Sequence, residues 1–190
     1  MQSSAVLDLF RTSGALLEGH FKLSSGLHGD RYLQCALVLQ HPADAEKLGR
    51  TVAEPLRAYA PTVVLSPAMG GLIIGHEVAR ALGVRAIFSE RVDGVMTLRR
   101  GFALQPGDRV VVIEDVVTTG KSTKETMVVV EGTGATVVAA GAIIDRSSGG
   151  SATLGVPFHA PASLDVPAYD PAVCPKCAAG EPIVKPGSRA

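Results

Sequence analysis

The chain has 190 residues, 46% of them hydrophobic and 21 of them glycine, enough to bury a substantial core as one α/β domain with tight turns. Eighteen basic residues balance eighteen acidic ones, only 4% of residues are aromatic and Trp is absent, so no nucleic-acid partner is expected. No apolar run approaches the ~18 residues of a membrane span, and MQSSAVLDLFRTSG lacks the cationic start and apolar centre of a secretory signal, so no membrane partner and a cytoplasmic location are expected.

In chain order, Ser3 or Ser4 caps a first helix running to about Thr12. Ala15 to Leu23 and Tyr32 to Leu39 read as strands around a Ser24-Ser25-Gly26 turn. Pro42, in first-turn position, starts a helix reaching Tyr59 that Pro55 kinks or divides. A short buried strand from Thr62 to Leu65 leads through the loop Pro67 to Gly71 into a helix from Leu72 to Leu82. Val84 to Phe88 is the next strand. Glu90 to Arg100 is a charged excursion without clear period, followed by the turn Pro106-Gly107-Asp108. Strand 109–113, helix 120–131 and strand 135–144 complete a β-α-β alternation, which predicts a mainly parallel sheet with helices on both faces. From residue 165 to 190, prolines and small residues mark an irregular C-terminal arm rather than a second domain.

The most informative stretch is VVVIEDVVTTGKS, residues 110–122. A β-branched run of the kind buried on both faces of a parallel sheet is followed by Glu114 and Asp115, then Thr118, Thr119, Gly120, Lys121 and Ser122 before a helix. Open α/β sheets bind ligands at the carboxyl ends of their strands. Backbone N–H groups at a helix start, joined by small hydroxyls, make a concave anion site suited to phosphate. The acids would repel that phosphate; they can accept hydrogen bonds from sugar hydroxyls or hold a hydrated cation. Together they point to a phosphorylated sugar. A Walker A loop needs glycine five positions before Gly120, where Asp115 stands, so that reading fails. A plain structural turn accounts for TTG alone, but not for strand, two acids and TTGKST in succession.

This segment resembles the ribose-phosphate signature of the type I phosphoribosyltransferases. HFKLSSGLHGDRYLQC (20–35), SPAMGGLIIGHEVARAL (66–82), ERVDGVMTLRRGF (90–102), AIIDR (142–146) and KPGSR (185–189) resemble, in order, parts of the orotate branch of that family. The resemblance implies a central parallel sheet with a small N-terminal hood. It implies transfer of ribose 5-phosphate from phosphoribosyl pyrophosphate to orotate, giving orotidine 5′-monophosphate and pyrophosphate in pyrimidine biosynthesis, with Mg²⁺ as cofactor and a homodimer as the assembly. The alternatives are a phosphoribosyl-pyrophosphate-sensing regulator and a transferase for another base.

The implied roles fall on named residues. Glu114 and Asp115 take the ribose hydroxyls, and Val116, Val117 and residues 118–122 surround the 5′-phosphate. Gly70 and Gly71 bring backbone N–H groups to the pyrophosphate, although SPAMGG alone reads equally as an ordinary tight turn. Arg146 and Thr118 bind orotate, since a guanidinium fork suits a planar anion; the plain alternative is an exposed arginine paired with Asp145. Relatives carry lysines in the mobile loop, whereas here Arg91, Arg99 and Arg100 are the cations, unless Arg99-Arg100 is merely a solvated pair. His28 stands where relatives place lysine and is assigned a hydrogen bond to orotate. Cys35 reads as a small core residue. Cys174 and Cys177 form CPKC, but no second CxxC or HxxxH supplies the other ligands a structural zinc needs, so tail packing is expected there.

Overall fold

The computed structural model describes residues 1–23 and 25–185; Ser24 of the expected first turn and residues 186–189 of the KPGSR segment lie outside the described residues. The chain opens with α1 (Ser3–Thr12), then the antiparallel strands β1 (Leu16–Lys22) and β2 (His28–Leu33), then α2 (Cys35–Leu39). The expected strand Tyr32 to Leu39 is therefore corrected: it survives only to Leu33. A short apolar run such as CALVL carries no period that separates strand from helix, and here Cys35, Val38 and Leu39 turn inward as a helical face.

Next comes α3 (Pro42–Leu56), with Pro42 in its first turn and Pro55 in its last, where it gives way to a 3₁₀ turn over Arg57–Tyr59. The β-α alternation follows: β3 (Val63–Pro67), α4 (Gly71–Leu82), β4 (Arg85–Val92), β5 (Val95–Leu98), β6 (Arg109–Val117), α5 (Lys121–Glu131) and β7 (Thr136–Asp145). Short strands β8 (Phe158–His159) and β9 (Ala162–Ser163) extend the sheet beside β7. The arm carries β10 (Ala168–Tyr169) and the single-turn α6 (Pro175–Ala178).

The main sheet runs β5-β4-β3-β6-β7-β8, parallel throughout except for β5, as the alternation predicts. Glu90 to Arg100 is not the irregular excursion expected. It contains the far half of β4, a tight turn with Asp93 and Gly94 at positive φ, and β5 as an antiparallel edge. Its charges hide the period because this hairpin is largely exposed to solvent.

Side-chain alternation splits the core between the two faces of the sheet. Val64, Val111, Ile113 and Ile143 point to the face covered by α1, α3 and α4, where Val6, Phe10, Leu48, Val52, Ile74 and Val78 pack. Val63, Leu65, Val110, Val112 and Ala140 point to the other face, beneath Met127 and Val130 of α5. No described helix is long and apolar enough to cross a membrane.

A second, three-stranded sheet, β1-β2-β10, forms the N-terminal hood; the arm's β10 pairs antiparallel with β2. Further along, Val184 donates its N–H to His20 O at 2.8 Å and accepts from Lys22 N at 2.9 Å. Ile113 is fully buried between α4 and the sheet. Ile113→Ala is expected to cost about 2–5 kcal/mol of unfolding free energy, whereas the exposed Val128→Ala stays within about 0.5 kcal/mol, as denaturant titration of both variants will measure.

Candidate active site

The chain leaves β3 toward β4 on one side and returns with β6 on the other, so the sheet's connections diverge between β3 and β6. Such a switch point opens a crevice at the carboxyl ends of the strands. Two segments meet there: Ser66 to Gly71 after β3, and Glu114 to Ser122 at the end of β6.

β6 does not end at Ile113 as expected. Its ladder with β7 continues through Glu114↔Ala142, Val116↔Ile144 and Val117↔Asp145. The two acids therefore sit within the strand, and alternation sends them to opposite faces. Asp115 shares the α4 face with Ile113, and its carboxylate accepts hydrogen bonds from Val116 N at 2.8 Å and from the Cys35 thiol. Glu114 faces α5, near the Thr123 hydroxyl.

Burial pushes the Glu114 carboxyl up to about 8, the Asp115 charge pushes it the same way, and the Thr123 hydroxyl works against both. Burial likewise raises Asp115, against the pull of its N–H and thiol partners.

The loop after β3 lies tight against these acids. A Cβ at Gly70 would stand 2.8 Å from both Asp115 carboxylate oxygens, and one at Gly71 would stand 2.9 Å from Ile113 O. Only glycine allows that approach. Ala68 N donates to Ser89 O at 2.8 Å, and the Ala68–Met69 peptide is cis.

Beyond Val117 the chain folds into a small cavity lined by Glu114 and residues 116–123. Gly120 caps α5 in the left-handed region, φ 71°, so Thr118, Thr119 and the first N–H groups of the helix face one concavity. Lys121 is solvent-facing, 3.9 Å from Glu125.

Arg146 follows β7, and its N–H donates to Val117 O at 2.8 Å, so the strand ladder sets Thr118 and Arg146 side by side. The expected alternative, an Arg146–Asp145 pair, is not what forms: Asp145 accepts from Ser147 N at 2.8 Å and from Ser151 Oγ at 2.9 Å. Burial lowers the guanidinium's pKa, and its Nε is buried without a hydrogen-bond partner among the described residues. A half-buried cation with an unmet donor is a receptor for an anion.

The three loop arginines differ. Arg91 donates to Gly94 O and pairs with Glu125 of α5. Arg100 grips Glu90 through two nitrogens, at 2.9 and 2.7 Å, and lies over the Phe88 ring. Arg99 is exposed, and its side chain has no ion pair among the described residues. His28 is buried in the hood, its Nδ1 3.1 Å from His20 Nε2 and 3.2 Å from Cys177 Sγ. Its assigned hydrogen bond to orotate thus competes with a cluster inside the hood. Cys35 is buried as expected, but sequence reasoning missed its contact with Asp115, which only the fold brings about.

Known proteins resemble this chain in sequence and fold. The family model described as a phosphoribosyl transferase domain matches residues 37–157. The orotate phosphoribosyltransferase of Heliobacterium modesticaldum is 54% identical over 191 residues, covering all of both chains. That of Pelotomaculum thermopropionicum is 52% identical over 189 residues, covering 100% of this chain and 99% of the relative. The crystal structure of orotate phosphoribosyltransferase from Aeropyrum pernix superposes with a TM-score of 0.70 at 27% identity, covering 84% of this chain and 93% of that one.

The acid pair yields a direct test. Carbon-detected titration of Glu114 is expected to show a midpoint near 8, moving down in Asp115→Asn because one like charge is gone. An unperturbed Glu114 in the wild type would refute its burial. Gly70→Ala should push Asp115 off its bond to Val116 N, visible as a shift of that amide resonance.

Proposed function

The chain belongs to the phosphoribosyltransferase family, and on that premise we propose that it transfers ribose 5-phosphate from phosphoribosyl pyrophosphate to orotate. One observation carries this reading. The β3–β6–β7 ladder gathers a phosphate-sized concavity, two desolvated acids, a glycine-lined backbone approach and a half-buried arginine around one crevice. The orotate enzymes of Heliobacterium modesticaldum and Pelotomaculum thermopropionicum align with the whole of this chain.

In this reading Val116 to Ser122 cradle the 5′-phosphate with backbone N–H groups and hydroxyls. Glu114 and Asp115 hold the ribose hydroxyls from the two faces of β6. As the bond from C1 to pyrophosphate lengthens ahead of attack by the orotate nitrogen, the ring gains oxocarbenium character. Asp115 then stabilises developing positive charge in a site whose low polarity strengthens the interaction, and Glu114 does so in its deprotonated form. Gly70 and Gly71 let backbone donors approach the pyrophosphate. Arg146, with Thr118 beside it, orients the planar anion of orotate.

The hard oxygen donors of Glu114 and Asp115 fit a nearby divalent cation that would be held mainly through substrate oxygens and water. Mg²⁺, if bound there, would supply charge neutralisation for the leaving pyrophosphate. Of the loop cations, Arg99 alone makes no ion pair among the described residues, although Glu90 lies near enough to feel its charge, which favours Arg99 for the pyrophosphate, while Arg91 and Arg100 brace the hairpin. We further propose a homodimer, supported by Met69 and Ile73, apolar side chains that stand 80% and 45% exposed beside the crevice.

The reaction is tested by mixing protein, phosphoribosyl pyrophosphate, Mg²⁺ and orotate and following orotate's ultraviolet absorbance, with uracil, hypoxanthine and adenine in parallel. Loss of orotate that needs every component is expected. Conversion of another base would retain the ribose-phosphate site and overturn the role of Arg146, and binding without any turnover would favour a regulator. Asp115→Ala should fold and lose at least about 2–3 kcal/mol of transition-state stabilisation in kcat/KM; near-normal turnover would sink its assignment. Neutralising Arg91, Arg99 and Arg100 singly should cost most at Arg99, and equal mild losses would contradict a dominant cation.

A further inference from the structure

The CPKC segment acquires the two partners that the sequence did not place near it. His20 lies on β1 and His28 on β2, and the register Lys22↔His28 and Phe21↔Gly29 makes them diagonal neighbours on one face of the hairpin. The arm then returns along the hood: β10 pairs with β2, Asp170 caps the turn at Pro171–Val173, and Pro175 starts α6. That path sets Cys174 and Cys177 over the two imidazoles.

The ligand atoms converge. His20 Nε2 lies 3.1 Å from His28 Nδ1, 3.5 Å from Cys174 Sγ and 3.6 Å from Cys177 Sγ, and Cys177 Sγ lies 3.2 Å from His28 Nδ1. All four atoms fall within 4.8 Å of one another. A tetrahedral zinc with Zn–N of about 2.05 Å and Zn–S of about 2.3 Å requires edges of about 3.4 Å between nitrogens and about 3.6 Å between nitrogen and sulfur. The four nitrogen–nitrogen and nitrogen–sulfur distances given above each lie within about 0.4 Å of that shape.

A second observation points the same way. His20 Nδ1 is 2.9 Å from Glu181 O, a carbonyl that can only accept, so Nδ1 carries the proton and Nε2 presents its lone pair to the cluster. A backbone carbonyl holding the outer nitrogen is how metal-bound imidazoles are oriented. Glu181 itself is held by Lys176, one of the two residues between the cysteines, at 2.8 Å.

We propose that His20, His28, Cys174 and Cys177 bind one zinc ion as a closed, structural Cys₂His₂ site that fastens the C-terminal arm to the hood. Two thiolates and two neutral imidazoles complete the tetrahedron, which leaves no position for substrate and separates this ion from the chemistry in the crevice. On binding, the two thiols release their protons to solvent. The site also accounts for where His28 is found.

Untagged protein, purified under reducing conditions from zinc-supplemented medium, should carry about one zinc per chain by elemental analysis. The chelator-stripped, reduced chain, titrated with Co²⁺, should develop the absorption of a tetrahedral thiolate–imidazole centre, saturate at one equivalent and bleach on addition of Zn²⁺. Cys174→Ser and His20→Asn should each weaken zinc binding by more than the ~10–100-fold that losing an outer-shell partner costs, while Cys35→Ser keeps the metal. An octahedral cobalt spectrum, or undiminished zinc in a Cys174→Ser/Cys177→Ser double variant, overturns the proposal. So does thiol counting that finds only Cys35 free in the purified, denatured chain, because the pair is then a disulfide. The cobalt arm uses the wild-type chain, so misfolding of a variant leaves a decisive result.

Discussion

The molecule depends on β6 being held between two parallel neighbours and covered on both faces. Val110 to Val112 pair on both sides, with β3 and with β7, the ladder with β7 runs on to Val117, and Val110 to Ile113 go alternately to the two halves of the core. A one-residue slip would exchange the two core faces and carry Asp115 away from Gly70. The register that buries Val110 to Ile113 is thus the same register that aims Glu114 and Asp115, and core packing does the positioning for the site.

That rigidity matters because the site is costly to keep. Two adjacent carboxylates are desolvated, and the chain around them supplies few compensating donors beyond Val116 N and two small side chains. The raised pKa of Glu114 means the folded chain binds its proton more tightly than the unfolded chain does. This contribution to stability is therefore complete below the ordinary carboxylate range and is lost as pH rises toward about 8. A ligand bringing partial positive charge reverses that penalty, so the fold is strained where binding relieves it. Arg146, half-buried with an unmet donor, is the same device with the opposite sign.

What was legible in the sequence follows from range. The buried strands, the phosphate loop and the β-α order are written in neighbours a few residues apart, and α1, α3, α4, α5 and the parallel sheet appear where they were expected. Failures came where distant partners decide. CALVL had no period to mark it as helix. The β4–β5 hairpin hid behind charges that are satisfied across it, as Arg100 is by Glu90. No second compact motif stands near CPKC, whereas the imidazoles that meet its thiols sit on two strands of a hairpin. Two histidines on the same face of adjacent strands were the readable signal.

The hood has one more consequence, which concerns time rather than geometry. Strands β1 and β2 precede the core in the chain but find their third strand only at Ala168 and Tyr169, and His20 finds its backbone partners only at Glu181 and Val184. On a ribosome the layers around β3 to β7 can close while the hood is still a lone hairpin, a form marginally stable in water. Strands that emerge before the core are thus secured after it. Until the arm arrives, two strands with an open edge stand beside a finished core, and this is the interval in which the nascent chain is most open to pairing with the wrong strand.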